Sequence, residues 1–132
     1  MIPCQHGRGI IGKLMAHGFG YFIRFKNEPS LYIAGDTILT KEVKDFIQTE
    51  KPDVTVLPAG GARFDLGAEI IMGLNEAIEV ASLTQGKIIA NHLEALDHCP
   101  TTRKELKDAV NNNGLSKRFF VPDDGESLSL SS

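Results

Sequence analysis

The chain has little of what marks several familiar classes of protein. Its 132 residues contain two cysteines, Cys4 and Cys99. That is too few for a disulfide framework, and the pair lacks the Cys-x-x-Cys spacing of a zinc knuckle, so a reducing cytoplasm is the expected setting. Positive charge is not in excess: 14 Lys and Arg stand against 17 Asp and Glu, for a net charge of −3. The basic residues are scattered, with no face interleaved with aromatics, so neither nucleic acid nor a membrane surface is an expected partner. No apolar run approaches the length that crosses a bilayer, and the first residues do not form a charged segment followed by an apolar one. Internal repeats are absent, and the one biased stretch is the Ser-rich end over residues 127–132, expected to fray. Pro58-Ala-Gly-Gly61 lacks the Lys of a phosphate loop, which argues against nucleotide binding.

What is present fits one soluble domain over residues 1–132. Hydrophobic residues make up 42% and charged residues 23%, ordinary values for a globular domain, and this length buries roughly two thirds of its unfolded surface. The glycine-rich opening, residues 1–20, reads as loop. Residues 21–25 and 31–34 read as a hairpin of strands around the turn at 27–30. A helix follows, with Thr40 as N-cap, Glu42 in its first turn and Val43, Phe46 and Ile47 on one face, ending before Pro52. Residues 54–57 form an apolar run suited to a buried strand, and residues 70–72 a short extended piece. A second helix over 75–85 turns Ala77, Ile78, Ala81 and Leu83 inward and stops at Gly86. Residues 87–90 are the next strand. Thr102-Arg-Lys-Glu105 has capping-box spacing and opens a third helix with Leu106, Ala109 and Val110 inward. Residues 118–121 and 126–130 read as final strands joined across Pro122-Asp-Asp-Gly125. The fold class that follows is α/β, a mixed β-sheet with flanking helices.

Chemistry concentrates where strands end. Asp36 follows a glycine at the end of the apolar run Leu31-Tyr-Ile-Ala34. A carboxylate there has left the sheet and stands at its rim, able to meet a cation without being buried unpaired. His6, in Cys4-Gln-His-Gly7, and His92, in Ile88-Ile-Ala-Asn-His92, occupy similar rims. Neutral imidazole and carboxylate suit Zn, Mn or Fe in the plus-two state. Taken singly, each residue has an ordinary alternative: a histidine beside a turn is more often at the surface, and an Asp before Thr37 can cap a turn.

In this order, Gln5-His-Gly7, Tyr32-Ile-Ala-Gly-Asp-Thr37, Pro58-Ala-Gly-Gly61 and Asn91-His-Leu-Glu-Ala-Leu-Asp-His-Cys-Pro100 resemble the later motifs of the metallo-β-lactamase superfamily. They are most similar to its branch of metal-dependent hydrolases that includes the ascorbate-6-phosphate lactonases. The resemblance runs from about His6 to Glu126. It implies half of an αββα sandwich, in which His6 binds one metal, Asp36 bridges two and His92 binds the second, with Asp36 and His92 as the catalytic pair. It also implies that a metal-bound hydroxide hydrolyses an ester, lactone or phosphoester of a small-molecule substrate, with one or two divalent ions, Zn or Mn, in the complete protein. The first-half signature of that superfamily, His-x-His-x-Asp-His, is absent, so the chain resembles a C-terminal half. It is a fragment, a half whose partner is a complementary N-terminal chain, or a half that pairs with itself as a homodimer. The competing reading is a non-catalytic scaffold that binds a partner.

Three further residues are candidates for the substrate or for orienting a ligand. His98 lies six positions beyond His92 and has a counterpart in that branch, a plain helix-entry residue being the alternative. Glu94 and Arg103 flank the same motif, with solvated placement as the alternative for each. Arg63 offers a guanidinium for an anionic group, and His17 is expected to line the opening loop.

Overall fold

The computed structural model describes residues 1–15, 18–64, 67–94 and 96–130. Among the described residues, six strands form one sheet: β1 (Ile2–Pro3), β2 (Phe19–Ile23), β3 (Leu31–Ile33), β4 (Val54–Pro58), β5 (Lys87–Asn91) and β6 (Phe119–Phe120). Their order in space is their order in sequence, β1-β2-β3-β4-β5-β6. β1, β2 and β3 pair antiparallel, and β3 through β6 pair parallel. The helices are α1 (Gly9–Leu14), α2 (Lys41–Glu50), α3 (Leu74–Leu83) and α4 (Arg103–Asn112). This is the expected mixed α/β arrangement.

Register separates the two faces of the sheet. Phe22, Tyr32, Thr55, Ile88 and Phe119 are aligned across β2 to β6 on one face. Tyr32, Ile88 and Phe119 there join one core with Val43 and Ile47 of α2, Ala77, Val80 and Ala81 of α3, and Leu106 and Val110 of α4. Each large apolar side chain withdrawn from water in this way contributes about 1.5–3 kcal/mol before entropy is counted. On the opposite face the aligned row is Tyr21, Ile33, Val56, Ile89 and Phe120. None of these five is buried. Tyr21 is 54% exposed, beside Phe19 at 49% and Ile23 at 37%. An apolar face of this kind is expected to be covered by something.

The helix termini follow the local sequence. The Thr40 hydroxyl accepts from Val43 N, and Thr102 with Glu105 completes a capping box. Arg118 closes the other end of α3, donating to the carbonyls of Ala81 (2.6 Å) and Thr84 (2.9 Å). The turn before β3 is tied to the residue before β4: Asp53 accepts from Ser30 N at 2.7 Å and Ser30 Oγ at 2.6 Å.

Two expectations are corrected. The opening is not all loop: it contains β1, paired to β2 through Ile2 and Pro3, and α1, where Gly12 lets the Gly7 carbonyl approach to 2.5 Å from where a Cβ would stand. Residues 126–130 are not a strand, and β6 is the last one among the described residues. Glu126 instead turns back, its carboxylate accepting from Asp123 N at 2.8 Å. His17 and the last two residues of the serine-rich end lie outside the described residues.

Candidate functional site

His6, Asp36, His92 and His98 line one cavity of about 650 Å³, together with Met15, Ala62, Arg63, Phe64, Ile70 and Leu96. The cavity lies beyond β3 and β5, at the carboxyl ends of the parallel strands, where α/β sheets hold their ligands. A larger cavity of about 740 Å³ lies at the other end, lined by the residues before β4 and β5. Among the described residues no histidine lines it, so the chemistry points to the smaller one.

Backbone bonding brings the three rims together. Gln5 is bonded twice to the segment after Asp36: its N–H donates to the Thr37 hydroxyl, and its carbonyl accepts from Ile38 N, both at 3.0 Å. His6 is thereby fixed next to the Asp36 loop. Ala34 N donates to Val56 O and Met72 N to Thr37 O, both at 2.9 Å, anchoring that loop to the sheet and to the segment before α3. On the far wall, Ala59 N donates to Asn91 O at 3.0 Å and so carries the ladder to the end of β5. The chain then turns sharply, with His92 at φ 55° and Glu94 at φ 56°. Both values lie in the left-handed region, which a side chain with a Cβ occupies at a cost of about 1 kcal/mol or more and which collects at functional sites.

The turn packs against Gly60. A Cβ on Gly60 would overlap the His92 carbonyl oxygen and stand 3.3 Å from Cys99 Sγ. Only a glycine admits both approaches. Thr101 N donates to Gly60 O at 3.1 Å, and Arg63 N donates to His98 O at 3.0 Å, so the His92 and Cys99 segment is sewn onto the loop after β4.

The electrostatics centre on Asp36. Its Oδ2 lies 3.8 Å from His92 Nε2, with the side chains 52% and 27% exposed. On the other edge of that ring, His92 Nδ1 lies 3.6 Å from Cys99 Sγ. Burial first, and the Asp36 charge second, push both the Cys99 and Cys4 thiols above their ordinary range. Both therefore remain protonated near neutral pH. Cys4 donates to Ala34 O at 2.9 Å.

The remaining predicted residues divide. His98 is exposed and lines the cavity. Glu94 and Arg103 do not line it. Arg103 Nη1 donates to Glu94 Oε2 at 2.7 Å and Nε to Pro122 O at 3.0 Å, while Nη2 pairs with Asp124. The Arg103 bonds hold Glu94 below the usual carboxylate range. The pair clasps the start of α4 to the segment after β6. The Cys99 contact and the role of Gly60 were not read from the sequence. The signal available was the Gly60-Gly61 pair following a buried strand, which marks close backbone approach.

As donors for a divalent ion, an imidazole Nε2 beside a carboxylate, with a second imidazole in the same cavity, fit in kind. They stop short in number: among the described residues no group of three His, Cys, Asp or Glu side chains is close enough together to hold an ion.

Comparison with known proteins gives a consistent picture. No family model matches the chain. It is 38% identical over 129 residues to the UPF0173 protein YddR of Bacillus subtilis, covering 96% of this chain and 50% of that protein. It is 31% identical over 112 residues to a UPF0173 metal-dependent hydrolase of Christiangramia forsetii, covering 84% and 46%. Among solved structures, an isothiocyanate hydrolase from Delia radicum gut bacteria superposes with a TM-score of 0.88 at 32% identity, covering 99% of this chain and 54% of that one. The chain spans about half the length of the relatives it matches. It belongs to the UPF0173 metal-dependent hydrolases and corresponds to the C-terminal half of such a protein.

Proposed function

We propose that the chain contributes His6, Asp36 and His92 to a centre for one or two divalent ions, zinc or manganese. The complete protein hydrolyses a small ester, lactone or phosphoester in the cytoplasm. The observation that carries this reading is the meeting of three separate strand rims in one cavity, with Asp36 Oδ2 and His92 Nε2 3.8 Å apart. A bound ion of this kind polarises the scissile bond and lowers the pKa of water toward neutrality. The chain's own residues do the rest. Asp36 projects from the rim, so its carboxylate reaches the cavity without desolvation. Arg63, exposed on the same wall, offers its guanidinium to an anionic group of the substrate. Phe64, Leu96 and Ile70 provide an apolar wall, Ile70 buried and the other two half exposed. The likeness to an isothiocyanate hydrolase adds a carbon flanked by nitrogen and sulfur to the electrophiles to be tried.

The other ligands come from outside this set of residues. A second copy stacked against the open face of the sheet would bring its own His6, Asp36 and His92 as further donors of the same kind. A complementary N-terminal half is the other way to supply them.

The test is metal content. Protein purified without chelator is dialysed against zinc or manganese and its bound metal measured, alongside Asp36→Ala and His92→Ala. Bound metal lost in both variants supports the centre. A wild type that retains none, or variants that retain as much as the wild type, favours the non-catalytic scaffold.

A further inference from the structure

We propose that Cys99 is a positioning residue for His92: its thiol engages Nδ1 and so presents Nε2 to the cavity beside Asp36. This rests on the metal reading for its purpose, but the contact itself does not. Three observations converge. Cys99 Sγ lies 3.6 Å from His92 Nδ1, while Nε2, at the other end of the ring, faces Asp36 Oδ2 at 3.8 Å. Cys99 is buried, 6% exposed, and its backbone is held by donation to Leu96 O at 2.9 Å. Gly60 leaves room for both groups, since a Cβ there would meet the His92 carbonyl and the Cys99 sulfur together. The ring of His92 is therefore braced by a fixed neighbour on one side and left open on the other.

The chemistry of a thiol suits this place. Sulfur is a weak acceptor and S–H a weak donor, so one side chain serves either neutral tautomer of the imidazole. With Nε2 carrying the proton, Cys99 S–H donates to Nδ1. Were Nε2 to give its lone pair to a cation, the proton would sit on Nδ1 and its N–H would donate to Sγ. A ligating histidine commonly has its second nitrogen fixed by a carboxylate, carbonyl or water, and removing that partner weakens metal binding about 10–100-fold. Here the sulfur of a buried cysteine takes that place, and the ring keeps its orientation through the change of tautomer.

The experiment uses three variants of the full chain. Cys99→Val keeps the volume and removes the hydrogen bond, Cys99→Ser keeps a donor and acceptor, and Cys99→Ala removes both volume and bond. The first readout is the nitrogen-15 signal of His92 Nδ1 in metal-free protein, which requires no metal site to exist. We expect it to shift in Cys99→Val and Cys99→Ala and to stay near the wild-type position in Cys99→Ser. An unshifted signal in Cys99→Val, at unchanged melting temperature, overturns the proposal. The second readout is zinc affinity, expected to fall about tenfold in Cys99→Val and to recover in Cys99→Ser. Equal affinity in all variants also overturns it. If the wild type binds no zinc while the Nδ1 signal still responds to Cys99→Val, the contact stands and the metal reading is the part that fails.

Discussion

At residue 60 a single hydrogen atom stands where any other amino acid would carry a Cβ, and two features of the site depend on it. Gly60→Ala forces that carbon into the His92 carbonyl oxygen, which is backbone and has no rotamer by which to yield. The substitution is expected to cost about 2–3 kcal/mol, read as a lower urea midpoint, and to abolish metal retention along with it. A stability equal to wild type would show that the turn at His92 moves freely. Asp53 gives a residue-scale prediction in pH. The hydroxyl of Ser30, and then its backbone N–H, hold the Asp53 carboxyl below the usual range. A lowered folded pKa means that the stabilisation is fully present above the unfolded value, about 3.9, and is lost as pH falls through the folded value. Wild-type stability should therefore decline below about pH 4, and Asp53→Ala should flatten that decline while lowering the neutral-pH stability by about 1 kcal/mol. Urea titrations at neutral and acid pH measure both arms.

Among the elements, α3 lacks a side-chain cap at its start and takes its closure from a distant residue. Arg118, just before β6, donates to the carbonyls of Ala81 and Thr84 at the last turn, where helix carbonyls have no partner of their own and a cation is favoured. Arg118→Ala should destabilise the chain by about 2 kcal/mol, and amide exchange should rise first at the end of α3. A loss spread evenly over the molecule would argue against the cap. The elements also explain what the sequence made legible. Thr40 and the Thr102-Glu105 box are signals complete within four residues, and α2 and α4 begin where those signals put them. α1 escaped because Gly9 and Gly12 weaken it and because it spans only six residues, too short for Ile11, which packs inward with Met15, to stand out as a helical period. The strand anticipated over 126–130 had alternation but no neighbour to pair with. In the site, Asp36 and His92 were visible because each follows a recognisable strand end, and His6 because it stands in a glycine-rich loop. The Cys99 contact was not, since it depends on how two loops cross over Gly60. Arg103 and Glu94 were noticed as charges near a motif, and only their geometry shows them bonded to each other.

For the whole molecule, the decisive feature is the row of Tyr21, Ile33, Val56, Ile89 and Phe120 on the face that the helices leave open. If a second copy covers it, light scattering should report a dimer at about ten micromolar and above. Tyr21→Glu combined with Ile23→Lys should then give a monomer that keeps its circular dichroism. A wild type that is monomeric alone, yet binds one equivalent of a separately expressed N-terminal half, would give that face to the other occupant.

Because each strand lies beside its successor, the sheet is laid down like a fence whose next post always goes at the free end. A nascent chain leaving a ribosome never has to hold a gap open for a strand not yet made. Assembly can proceed in one direction, with β6 as the last plank.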